Sequence, residues 1–138
     1  MKDILNQGLR DMGITPPEDA VDKLCRYGEL LLEQNQVMNL TAITEPRDVA
    51  ALHLLDSLAL ISLAGLEDGS AVDVGTGAGF PGLPLAIVRP RLQVTLLDSL
   101  GKRVEFLRES CGALGLTNAA CVQARAEEFA RERRESFD

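Results

Sequence analysis

Asp73-Val74-Gly75-Thr76-Gly77-Ala78-Gly79-Phe80-Pro81-Gly82 is the stretch of this 138-residue sequence with the most chemical potential. A short apolar run, Ala71-Val72-Asp73-Val74, feeds a turn that carries four glycines. Glycine lets a backbone approach a ligand closely and take positive φ where the turn requires it. Asp98 follows 23 residues after Gly75, closing the next apolar run, Leu92 to Leu97. From that position a carboxylate reaches the ribose hydroxyls of a nucleotide-like ligand. Two registers are open. Gly77 to Gly82 formally matches G-x-G-x-x-G, the dinucleotide pattern, and would require the strand to run on to Gly77. In the other register the strand ends at Asp73-Val74 and the motif reads Asp-x-Gly-x-Gly-x-Gly. Asp73 then meets the cationic ammonium of a methionine moiety, where a pyrophosphate would be repelled. The first register suits NAD and an oxidoreductase, the second S-adenosylmethionine. A purely structural glycine turn is the third reading.

A second constellation lies upstream. His53, Asp56 and Ser57 stand at i, i+3 and i+4, so a helix would place them on one face. Asp56 is the only formally charged residue between Asp48 and Glu67. Short hydrogen-bonding groups in an apolar helix either border a cleft above the glycine turn or form a satisfied buried network. Asn39 is equally two-sided, a turn former or a substrate contact. Arg125, after the third strand, either steers a phosphate or is a solvated surface residue. With one histidine and cysteines far apart in sequence (Cys25, Cys111, Cys121), no metal site is expected. A Ser–His–Asp hydrolase is not expected either, since three such groups within five positions of one helix do not readily form the relay and no G-x-S-x-G elbow is present.

The elements that must position these residues change character near residue 69. Residues 1–68 read as a helical segment. Ile4, Leu5, Leu9 and Met12 mark a first helix that Gly13 ends. Thr15, Pro16 and Glu18 form a capping-box signal for a second helix. Val21, Leu24, Gly28 and Leu31 continue it to about Gln34, and 37–44 reads as a connector. A third helix is expected from Pro46 to Ala64. Residues 69–138 then alternate: strand 71–74, helix 82–88, strand 92–97, helix 102–114, strand 119–122 and helix 126–134. The order βαβαβα opens a parallel α/β sheet of the Rossmann-like kind, and three strands are half of one. The chain is expected to be a fragment, truncated before a fourth strand.

Composition bounds the partners. At 46% hydrophobic and 25% charged residues the chain has the balance of a soluble globular protein. No apolar run approaches the roughly 20 residues of a membrane span, and there is no secretory leader pattern. The cysteines read as small core hydrophobes in a reducing cytoplasm. Net charge is −7, carried by residues 1–70, whereas 71–138 balance to zero. No basic arm or Lys/Arg patch announces nucleic acid. The run Arg131 to Glu135 is mixed in sign and reads as a solvated helix end.

Asp73 to Gly82, together with Leu97-Asp98-Ser99-Leu100-Gly101-Lys102-Arg103, resembles the bacterial guanine-N7 small-subunit rRNA methyltransferases, also called glucose-inhibited division protein B. Met38 to Ile43, His53 to Leu58 and Gln123 to Glu128 extend the likeness over nearly the whole chain. The resemblance implies a class I methyltransferase fold, S-adenosylmethionine as cofactor, and ribosomal RNA or the small ribosomal subunit as partner. By it, Gly75, Gly77 and Phe80 line the cofactor, Asp98 holds the ribose, and Ala126 and Glu127 flank the adenine. It implies no catalytic residue: guanine N7 offers a lone pair and has no proton to lose, so no general base is required. Two departures stand out. An arginine-bearing motif of the family lies beyond Asp138, and Gln34 occupies a place where relatives often carry tryptophan. A non-catalytic cofactor-binding fragment is the remaining alternative.

Overall fold

The computed structural model describes residues 1–125, 127 and 128. Three strands, β1 (Gly69–Val74), β2 (Leu92–Asp98) and β3 (Ala119–Gln123), form a parallel sheet in the order β1-β2-β3. Each successive pair is joined by a crossover helix, α5 (Gly82–Val88) and α6 (Gly101–Leu114). Parallel strands need such crossovers, and the helices bury the sheet faces. In β2 the pattern is nearly all buried, with Leu92, Val94, Leu96, Leu97 and Asp98 inside. This is the signature of a central strand covered on both faces. The expected α/β class and βαβαβ order are therefore present. The helix expected at 126–134 lies outside the described residues except at Glu127 and Glu128, which are helical.

Upstream lie α1 (Lys2–Asp11), α2 (Ala20–Met38), a single turn α3 (Pro46–Asp48), and α4 (Asp56–Ala64). Between α3 and α4, residues Val49–Leu55 form a π-helical stretch, so 46–64 is continuous but widened in its middle. These helices share one hydrophobic cluster with the sheet. Leu5, Leu9, Leu24, Leu31, Leu54 and Leu58 pack into the same core as Leu83, Leu96 and Leu107. The bulk of the apolar stabilisation comes from this seam, at about 1.5–3 kcal/mol for each fully buried large side chain.

Two expectations about α2 are corrected. The helix does not begin on a Thr15–Glu18 capping box. Asp19 precedes the first helical residue, without a side-chain cap, and Thr15 is exposed. Pro17 supplies the reason: a residue that precedes proline is forced away from helical geometry, and here that residue is Pro16, the intended first position. Nor does α2 stop at Gln34. It runs four residues further, because Gln34, Asn35 and Gln36 are polar without being helix breakers. Asn39 ends it, in the left-handed region at φ 50°, with its N–H donating to the Asn35 carbonyl.

Asn118 ties the far end of the sheet. Its buried amide donates to the carbonyls of Ala86, Arg89 and Leu92 at 2.9–3.1 Å. One side chain thus satisfies the end of α5, the turn after it and the start of β2. Cys111 on α6 and Cys121 on β3, distant in sequence, bring their free thiols to 3.9 Å. No described helix is long and apolar enough to cross a membrane. Replacing Asn118 by Ala removes these side-chain bonds, leaving Arg89 O only the Leu92 N–H, and should lower unfolding stability by about 2 kcal/mol. A urea midpoint within error of the wild type would refute that role.

Candidate cofactor and target site

The carboxyl ends of the strands deliver the expected residues to one edge of the sheet. β1 stops at Val74, and the backbone turns at Gly75 with φ 67°. This is the register in which the motif reads Asp-x-Gly-x-Gly-x-Gly, not the one in which a strand runs on to Gly77. The ladder ends in loop contacts: Thr76 N–H donates to Leu97 O, and Ala124 N–H to Asp98 O. A cleft of about 430 Å³ opens there, lined by Val74, Gly75, Asp98, Ser99, Arg125 and Glu127 among others. Ligands of open α/β sheets sit beyond the carboxyl ends of the strands. A larger hollow of about 630 Å³ lies along α1 and contains none of the residues of the glycine turn or the strand ends.

The turn has few side chains with which to hold itself, and it is braced from outside. Asp73 uses one oxygen, Oδ2, to accept the Thr76 hydroxyl at 2.6 Å and the Gly82 N–H at 2.9 Å. Burial pushes its carboxyl above the usual range, and the two hydrogen bonds oppose that shift. Asp98, only 3% exposed, accepts the Gly77 N–H on Oδ2 and the Leu100 N–H on Oδ1, both at 2.9 Å. Arg103 lies 3.6 Å from Oδ1. A carboxylate has about four lone-pair sites, so each oxygen keeps capacity for another donor. Gly82 has no room for a side chain: a Cβ would sit 2.5 Å from Leu96 Cδ2 and 2.9 Å from Asp73 Oδ2.

Tyr27 is a brace that sequence reasoning missed. It is the chain's single tyrosine, fully buried on α2, and its hydroxyl donates to the Ala78 carbonyl. A Cβ on Gly79 would strike that hydroxyl and Leu107. The signal was available, because Tyr27 falls on the apolar stripe of α2 beside Leu24 and Leu31. Its target, 51 residues away, was not.

Phe80 ends the turn and faces the helices. Its ring lies 5.5 Å from that of Tyr27 and stacks on His53 at 4.6 Å with an interplanar angle of 14°. His53 sits in the π-helical stretch, and its Nε2 shares a 2.7 Å hydrogen bond with the Thr41 hydroxyl. Thr41 is fixed in turn: its N–H donates to Asn35 Oδ1, and its Oγ1 accepts the Ile43 N–H. Asn35 and Thr41 were not expected to matter. The stripe His53, Asp56 and Ser57 divides. Ser57 is buried and donates to the His53 carbonyl at 2.6 Å, whereas Asp56 is exposed. All three line a cavity of about 270 Å³ with Leu52, Leu60, Phe80 and Pro81. Asn39 is exposed at the helix end, and Arg125 is exposed in the cleft. Ala126 lies outside the described residues. Among the described residues, no three His, Cys, Asp or Glu side chains converge as a metal cluster.

The geometry joins a glycine turn to an acid at the end of β2, and comparison with known proteins gives that pairing a family. The family described as rRNA small subunit methyltransferase G (GidB) matches residues 20–138. The chain belongs to this family. Curated relatives named ribosomal RNA small subunit methyltransferase G agree over nearly its full length. That of Alkaliphilus metalliredigens is 49% identical over 140 residues, covering 99% of this chain and 59% of the relative. That of Pelotomaculum thermopropionicum is 47% identical, covering 96% and 56%. That of Methylobacillus flagellatus is 43% identical, covering 96% and 63%. The chain thus spans less than two thirds of the length of these GidB relatives.

Two measurements test the bracing. Tyr27→Phe should cost about 1–2 kcal/mol in urea unfolding, since it strands the Ala78 carbonyl. Burial holds the His53 imidazole below its ordinary value of 6.5, an effect that Asp56 partly offsets. A folded-state value below the unfolded one means the contribution is present above pH 6.5 and is lost as pH falls through the folded value. The single histidine allows an NMR titration free of overlap. Its midpoint should lie below 6.5 and fall further in Asp56→Asn; a midpoint at or above 6.5 would contradict the burial.

Proposed function

We propose that this chain forms the cofactor-binding part, and one wall of the target site, of an S-adenosylmethionine-dependent methyltransferase acting on guanine N7 in small-subunit ribosomal RNA. The observation that carries the reading is Asp98, buried at the floor of the strand-end cleft and already gripping the glycine turn through Gly77. The name of the relatives supports the ribosomal RNA class. The N7 atom rests on the resemblance of Asp73–Gly82 and Leu97–Arg103 to that family. The division of labour follows the chain, with 69–138 serving the cofactor and 1–68 the target. A ribosomal RNA substrate would fit a cytoplasmic protein.

The residues fit the cofactor. The free lone pairs of Asp98 suit the two ribose hydroxyls. Val74, 57% exposed, and Leu97 give the cleft apolar lining for an adenine, and Glu127 borders the same cleft. Gly75 and Gly77, both at positive φ, let the backbone come close. Asp73 and Asp98 together provide negative potential at the turn, which favours a cationic ligand over a pyrophosphate. When bound, S-adenosylmethionine supplies a methyl group made electrophilic by its sulfonium. The chain's task is to hold two reactants in line, and positioning alone can supply a large share of a rate enhancement. N7 needs no deprotonation, so no residue is assigned as a general base.

Calorimetric titration of the chain with S-adenosylhomocysteine tests this. Saturable binding is expected, weakened about tenfold or more in Asp98→Asn, with urea midpoints verifying that the variant folds. NAD should bind no more tightly than it does to the variant. Preference for NAD would overturn the methyltransferase reading in favour of an oxidoreductase.

A further inference from the structure

The 270 Å³ cavity between 46–64 and the end of the glycine turn has a chemistry that the cofactor cleft lacks. Two of its lining residues are aromatic rings stacked on each other: His53 and Phe80 lie within 14° of parallel, and the hydrogen bond to Thr41 fixes the imidazole. Its sides are apolar, from Leu60 and from Leu52, which is 58% exposed. Its one charged lining group is Asp56, exposed and absent from the ion pairs found among the described residues. Aromatic and leucine side chains in the lining suit an unstacked base, and a carboxylate among them repels phosphate.

A lone carboxylate beside a stacking surface also discriminates between bases. Ionised, it only accepts hydrogen bonds, through two oxygens that can be used side by side. Guanine presents two adjacent donors, N1–H and the exocyclic N2–H, on its Watson–Crick edge. Adenine presents a donor beside an acceptor there, and that acceptor would face a carboxylate oxygen. We propose that this cavity seats the target base and that Asp56 selects guanine by accepting N1–H and N2–H while the base packs against the His53–Phe80 pair. The assignment rests on the guanine-methyltransferase reading above and adds to it a residue that reads the base. N7 lies on a different edge of the purine, so the contact that identifies guanine leaves the reacting nitrogen unobstructed. Phe80 lines this cavity and Gly75 lines the cofactor cleft, so a single turn separates the two sites.

The chain's only histidine is its own reporter, because a single imidazole gives one set of ring correlations in a carbon-13-edited spectrum of the labelled chain, in which unlabelled nucleotides are silent. The whole chain is titrated with guanosine, inosine and adenosine 5′-monophosphates, with a parallel titration of S-adenosylhomocysteine. Guanosine monophosphate should shift the His53 signals saturably. Inosine monophosphate, which lacks the N2 amine, should bind several-fold more weakly, and adenosine monophosphate should give no saturable shift. Asp56→Asn should weaken guanosine monophosphate about tenfold, the effect of losing a good bidentate contact. Equal responses to guanine and adenine nucleotides, no response to any of them, or an unchanged affinity in Asp56→Asn would overturn the proposal. Failure of S-adenosylhomocysteine to bind the folded wild-type chain would overturn the cofactor assignment instead, a separate readout.

Discussion

Two carboxylates at the ends of adjacent strands hold the backbone of a turn that cannot hold itself. Between Val74 and Gly82 the chain crosses from strand to helix through four glycines, three of them in the left-handed region. Such a segment loses much conformational entropy on ordering and has few side chains to offset the loss. Asp73 supplies one bond to Thr76 and one to Gly82, and Asp98 reaches across from β2 to Gly77. The register Asp73↔Leu96 places these acids at neighbouring strand ends, so both attack the same turn from below. Tyr27 closes the arrangement from the helical side through Ala78. If the turn shifted, the strand-end cleft and the Phe80–His53 stack would shift with it.

This bracing explains why the helical segment and the sheet are packed as one core. The turn borders the strand-end cleft through Gly75 and meets α2 through Tyr27. It meets the π-helical stretch through Phe80. A π-type widening is uncommon and tends to occur where a helix must present a particular side chain. Here it carries His53, and Ser57 donates to the carbonyl of that same residue. The connector 39–45 contributes as well, since Thr41 fixes the imidazole and is itself fixed by Asn35 from the last turn of α2. Residues from three separate stretches of chain therefore decide the orientation of one ring.

The acidic balance of the chain is consistent with such a division of labour. A surface with net charge −7 offers little to a phosphate backbone. What the described residues offer, under the proposed reading, is a stacked pair of rings beside a carboxylate and a buried carboxylate at the strand ends, both hydrogen-bond acceptors.

Local chemistry made much of this legible in the sequence. The apolar run 92–97, the helix read at 102–114 and the glycines after Val74 mark β2, α6 and the turn to within a residue or so. Each signal is local, because burial imposes its pattern on neighbouring positions. Asp98 was marked by its distance from Gly75, which a βαβ unit keeps nearly constant. Where the sequence misled, a neighbour overrode a motif, as Pro17 overrode the capping signal of Thr15 and Pro16. The pairings were hidden for a different reason. Tyr27 with Ala78, Thr41 with His53 and His53 with Phe80 join positions between 12 and 51 residues apart. Sequence alone determined which residues can accept, stack or bend. Only the tertiary structure decided which of them meet, because contacts between distant segments depend on how whole elements pack and leave no periodic trace along the chain.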